Sequence, residues 1–201
     1  LAAGGARTLG LLDAGRDISL DGATLAADTL RAGGRIDAAI TGAATIGALS
    51  SGGDTALLAA TLDLGDGAVG GRFDARTTGG RLSFDTVAAA TVLVDSAGDI
   101  GFAALDSGGA PTVRAGGKVT GGVLTSDGLA DVSADAGAVL TGLVAPDARL
   151  RSSGGVIDAR GVAVGGLVDA QGTAVTLAAP GRMRALVRAT AGDVAITAGG
   201  D

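Results

Sequence analysis

The side chains here that could move a proton, attack an electrophile or hold a metal are few in kind: Asp, Arg, Ser, Thr and the single Lys118. There is no His, Cys, Tyr or Glu, and all 21 acidic residues are Asp. Acid–base and nucleophilic catalysis draw on groups that titrate near the working pH or that an adjacent base activates. Composition therefore leaves clusters of Asp with Arg or Lys118 as the catalytic candidates, and with no Trp or Tyr and only three Phe there is no aromatic platform on which a sugar would stack. The reading is that no residue is catalytic, none binds a cofactor and none ligates a metal.

Asp63 with Gly65-Asp66-Gly67 is the best local candidate for calcium, because carboxylates on a pliant glycine loop suit a cation with flexible oxygen coordination. A solvated insertion loop explains the same residues, and the nonapeptide pattern of calcium-binding repeats does not recur. Paired glycines such as Gly70-Gly71-Arg72 lack the following Gly-Lys-Ser/Thr of a phosphate loop. Arg31, Arg114, Arg151 and Arg188 fall at one edge of a repeat and offer a basic strip to a sulfated or sialylated glycan. Ser50, Asp74, Asp95, Ser133 and Asp169 interrupt that strip, as they would a solvated edge. Ice binding calls for a regular array of Thr, and Thr41, Thr61, Thr91 and Thr125 are scattered.

The elements that position these residues follow from a repeat. Val113-Arg114-Ala115-Gly116-Gly117 returns as Val132-Ser133-Ala134 and again as Leu150-Arg151-Ser152, at steps of 19 and 18 residues. Val168-Asp169-Ala170 and Val187-Arg188-Ala189 extend the series downstream. Val94-Asp95-Ser96, Phe73-Asp74-Ala75, Leu49-Ser50-Ser51 and Leu30-Arg31-Ala32 extend it upstream. A period just under twenty with apolar–polar alternation inside it is the signature of a β-solenoid in which each repeat is one coil. The step from Leu49 to Phe73 is 24 residues, which assigns an insertion loop to 62–67.

Other chain classes fit less well. Hydrophobic residues make up 47% of the sequence and recur at regular intervals, unlike a disordered Gly-rich chain. A helical protein would use Glu and Lys on its wet faces. Charges and paired glycines break each apolar run before the roughly 20 residues of a spanning helix. The net charge of −6 speaks against nucleic acid and anionic membranes as partners. The opening residues have no signal-peptide pattern, and 1–201 is expected to be a single solenoid segment cut from a much longer repeat protein.

Each coil is expected to hold two or three short strands with Gly- or Asp-bearing corners, glycine serving where φ is positive or a Cβ has no room. Pro111, Pro146 and Pro180 fall at corners, where a missing N–H costs no ladder bond. The strand after each corner reads Ile36, Thr55, Leu82, Ile100, Val119, Val139, Ile157, Val175 and Val194 at its first inward position. The residues just before that position, Asp17, Arg35, Asp54, Arg81, Asp99 and Lys118, alternate in sign and predict a stacked charge ladder.

Ala97-Gly98-Asp99-Ile100, Ala115-Gly116-Gly117-Lys118-Val119-Thr120 and the run Ala191 to Asp201 resemble the haemagglutinin repeats of filamentous-haemagglutinin-type exoproteins. The resemblance implies a right-handed parallel β-helix of about ten coils of 18–20 residues. It also implies a large secreted or surface-exposed Gram-negative protein, exported by two-partner secretion through an outer-membrane transporter partner. Members act as adhesins, haemolysins or stalks of growth-inhibition toxins. The expected function is thus a structural stalk or adhesin segment that spaces a distal domain and contacts a host-cell or glycan receptor. A β-helix polysaccharide lyase or hydrolase and a cytosolic self-polymerising filament are the alternatives, and end-to-end self-association fits any of the three.

Overall fold

Residues 5–199 are described by a computed structural model. They form a β-solenoid of about ten turns with no helix. Every strand pairs in parallel with the strand one coil earlier or later, as when Ile18–Gly22 pairs with Ile36–Ile40 and that strand pairs with Thr55–Ala59.

A coil has three faces. The first holds an inward column running Leu20, Ala38, Leu57, Ala75, Val94, Val113, Val132, Leu150, Ala170 and Val187. The second holds Leu25, Ala44, Leu62, Leu82, Ile100, Val119, Ala138, Ile157, Val175 and Val194. The third holds Leu12, Leu30, Leu49, Gly67, Val87, Leu105, Leu124, Leu143 and Val162. The second and third faces are usually one strand with a bend, as in Thr24–Ala32 and Ala43–Ser51. Corners separate the first face from its two neighbours.

The core is a single cluster running from Ile18 to Ala179, and most of its large members are less than 2% exposed. Burying one such aliphatic chain contributes about 1.5–3 kcal/mol, so neighbouring coils that cover both faces of a rung are what make a rung stable. The three phenylalanines adjoin one another. Phe84 stacks on Phe102 with centroids 5.3 Å apart, and Phe73 meets Phe84 edge-on at 6.5 Å. Gly121 lies directly above Phe102, and a Cβ there would run into the phenyl ring and Leu140.

Buried hydroxyls close the ends of the inward columns. Thr77 Oγ1 and Ser96 Oγ lie 2.8 Å apart, and both reach the Gly80 carbonyl at 2.9 Å. Ser51 pairs with Thr55 at 2.8 Å and donates to the Gly53 carbonyl. These groups satisfy corner backbone that turns inward, at a depth where an unpaired carbonyl is costly.

The structure corrects the expected insertion. Residues 62–67 lie inside the strand Thr61–Thr77 and pair on both sides, Leu62 with Ala44 and Leu82, and Leu64 with Ile46 and Phe84. The coil lengthens instead at Thr78-Gly79-Gly80-Arg81, between paired Thr77 and Leu82. The apparent 24-residue step arose because Leu49 belongs to the third face and Phe73 to the first. Leu49 pairs with Gly67, whereas Phe73 pairs with Thr55 and Val92. Apolar–polar–small–glycine closes both faces ahead of their corners, so the pattern alone does not say which corner follows. Pro111, Pro146 and Pro180 do lie outside the strands.

Candidate functional site

Two corner columns carry the predicted charge ladder, where the sequence suggested one. Asp17, Arg35, Asp54 and Arg72 stack between the third and first faces; Arg81, Asp99 and Lys118 stack between the first and second. Acid and base alternate in both, but their contacts are not ion pairs along the column. Asp17 Oδ1 accepts the Arg35 backbone N–H at 2.7 Å, Asp54 Oδ1 that of Arg72 at 2.8 Å, and Asp99 Oδ1 that of Lys118 at 2.7 Å. Asp147 does the same for Leu167 at 2.7 Å, with no basic residue involved.

A glycine precedes each of the four donors: Gly34, Gly71, Gly117 and Gly166. A Cβ on any of them would collide with the carboxylate below. Only Gly137 and Gly161 have positive φ among the described residues. Most corner glycines are therefore there to leave space, and the freed space holds the oxygen that satisfies the next N–H.

Two arginines of the ladder, Arg35 and Arg72, turn to their own strands. Arg35 pairs with Asp37, and Asp74 is gripped from both sides by Arg72 and Arg76 at 2.9 Å. The Arg76 guanidinium is held above its usual pKa by its hydrogen bond to Asp74 and then by the Asp74 charge. Arg160 is raised in the same way by Asp158.

The proposed basic edge is partly assembled. Arg114, Arg151 and Arg188 share an outward column of the first face with Arg76, separated by Asp95, Ser133 and Gln171. Arg31 does not belong to it: it stands on the third face between Asp13 and Ser50. Arg151 is also bound to Asp169 at 2.9 Å. The column is a mixed, largely solvated strip, in which exposed ion pairs contribute little.

The calcium candidate is not a loop. Asp63 and Asp66 point outward on either side of the bend between the second and third faces. Asp63 accepts the Ser83 hydroxyl at 2.8 Å and Asp66 that of Thr86 at 2.5 Å. Among the described residues no three acidic side chains are placed to hold a metal ion. An Asp–Arg cluster does form around Ala56, where Asp21, Asp37, Asp74 and Arg76 line a depression of about 530 Å³. Both Asp74 oxygens are already engaged by Arg72 and Arg76, so neither is left open toward the depression as a proton acceptor.

Sequence reasoning missed a second concavity, of about 380 Å³, on the third face. Its floor is Ala48, Ala68, Ala88 and Ala104, with Arg31 and Asp106 at its margins. The sequence signal is small residues at outward positions of two adjacent columns, Ala48 and Ala104 flanking Asp66 and Thr86 in one and Ala68 beside Ala88 in the other, and it becomes readable once the third face is recognised. No helix among the described residues is long and apolar enough to cross a membrane. No protein-family model matches the chain, and no curated protein and no solved structure shows significant similarity to it.

Proposed function

We propose that this solenoid is a stalk segment of a large exported protein of the filamentous-haemagglutinin type, a mechanical spacer that performs no catalysis. The observation that carries the reading is the inward column of the first face, unbroken from Leu20 to Val187 and backed by a single core. Ten rungs at the ~4.8 Å strand spacing make a rod about 50 Å long. Outward charges form exposed pairs such as Arg35–Asp37, Arg72–Asp74 and Arg151–Asp169, which suits a solvated spacer. In this reading the parent reaches the cell surface through an outer-membrane transporter partner, and contact with a host-cell or glycan receptor falls mainly to a distal domain.

Serum raised against the segment tests this on intact and lysed source cells, with the parent's mass read on the same blot. Labelling of intact cells and a band far above 18.8 kDa are expected. Labelling only after lysis, with a band near that mass, would overturn the stalk and favour an intracellular filament. Oligosaccharide release from an acidic polysaccharide, lost on Asp74→Ala, would instead favour an enzyme.

A further inference from the structure

The third face differs from the first in charge. Of the twelve outward residues in its six rows from Thr29 to Thr125, only Arg31, Asp66 and Asp106 are charged. The first face carries six charges over the six rows from Asp37 to Ser133. Asp37, Asp74 and Asp131 there are all in ion pairs, whereas Arg31 and Asp106, at the two ends of the alanine-floored concavity of about 380 Å³, have no ion-pair partner among the described residues. These six rows lie in the body of the rod, clear of the first and last described coils.

A two-fold axis lying across this face between Ala68 and Ala88 makes it self-complementary. The two rods run antiparallel, and each row faces the row equally far beyond the axis in the other copy. Ala68 meets Ala88 and Ala48 meets Ala104, so methyl groups pack where the two sheets must approach closely. Thr29 covers Val123, which is 44% exposed in the single chain. Ser50 stands opposite Asp106, and Arg31, opposite Thr125, reaches the same carboxylate one row away, ~4.8 Å along the rod. Asp66 faces Thr86, one row from Asp66 of the other copy, the nearest approach of like charges in this register. An axis through the row of Asp66 itself would set those two carboxylates face to face.

We infer that a second copy of this chain covers the third face, side by side and antiparallel, in the register with its axis between Ala68 and Ala88. The contact uses the same patch on both copies, so it closes as a dimer and does not propagate. Its rows cover roughly 30 Å by 13 Å, less than a stable complex buries, and the pair is weak and reversible. The inference does not depend on export or on a stalk role, and it uses neither end of the rod.

Sedimentation equilibrium of the 201-residue chain over a wide concentration range tests it. The weight-average mass is expected to climb toward that of a dimer. Arg31→Asp and Asp106→Arg are each expected to weaken pairing about tenfold or more by bringing like charges together across the axis, with unchanged melting temperatures. Combined in one chain they restore opposite charges and are expected to recover most of the loss. Ala68→Trp, on the exposed side of its strand, is expected to block pairing by bulk. A chain monomeric at all concentrations would overturn the proposal. Association that none of these variants weakens would place the contact elsewhere and overturn it too, as would a charge-swapped double variant that pairs no better than the single ones.

Discussion

The carboxylate of Asp99 stands where a Cβ on Gly117 would have to be, and the same oxygen accepts the N–H of the next residue, Lys118, at 2.7 Å. Aspartate and glycine here form one unit split across two coils. Gly117→Ala is expected to destabilise the rod by about 1–3 kcal/mol through overpacking. In an Asp99→Ala background the same change is expected to cost little. Denaturant titrations of the four species give the coupling, and additive effects would show that the corner is not a unit.

A second pairing of large with absent side chain lies in the core, where Phe102 fills the space above which Gly121 has no Cβ. Gly121→Ala is expected to lower the melting temperature sharply. Phe102→Leu should be destabilising alone but should blunt the effect of Gly121→Ala, because the shorter chain leaves room. Thermal scans followed by circular dichroism decide it.

The Thr77–Ser96 hydroxyl pair predicts an asymmetric response to methyl-for-hydroxyl replacement. Thr77→Val removes one partner of the buried Ser96 hydroxyl, which keeps the Gly80 carbonyl at 2.9 Å, and is expected to cost about 0.5–1.5 kcal/mol. Adding Ser96→Ala to it should cost less than the two single changes summed. Amide exchange at Gly98, whose N–H reaches Ser96 Oγ at 3.2 Å, should quicken in the double variant and report the same site locally.

The two-sided grip on Asp74 orders three surface substitutions. Arg72→Ala and Arg76→Ala remove exposed partners and are each expected to change stability by less than about 1 kcal/mol. Asp74→Ala should cost more than either, since it leaves two guanidinium groups on neighbouring positions with no shared counter-charge. The gap between Asp74→Ala and the arginine variants should narrow in high salt.

Calcium is expected to leave the melting temperature unchanged, with or without chelator, because Asp63 and Asp66 diverge across the bend and each already holds a hydroxyl. A calcium-dependent rise abolished by Asp66→Asn would show that the two carboxylates converge in solution.

The period, the parallel stacking and the inward character of most Val, Leu and Ile positions were legible from sequence, because a β-solenoid writes each rung as alternation followed by glycine. The division into three faces was not. Leu30-Arg31-Ala32-Gly33-Gly34 and Val113-Arg114-Ala115-Gly116-Gly117 are the same string physically, yet one ends the third face and the other the first. A reading by likeness therefore spliced two columns and placed the surplus at 62–67. The parity slip at Val139, which points outward while Ala138 and Leu140 point in, has the related cause that Ala is small enough to fit either side. Sign alternation was seen in Asp17, Arg35, Asp54, Arg81, Asp99 and Lys118, but the chemistry beneath it was side chain to backbone. The glycine one coil later that makes room for each carboxylate lies 17 to 19 residues away and becomes its neighbour only when the coils stack.

The split corner unit makes the coils non-interchangeable. Excising the residues of one turn, so that Gly137 followed Asp99 in the column, would set Ala136 where Gly117 now stands, since the Ala136 N–H already rests on the Gly117 carbonyl. The aspartate would then face a methyl group. A repeat protein built this way can lengthen or shorten by whole turns only where the copied boundary brings its own glycine, so the order of its coils is itself recorded in the positions of Asp and Gly.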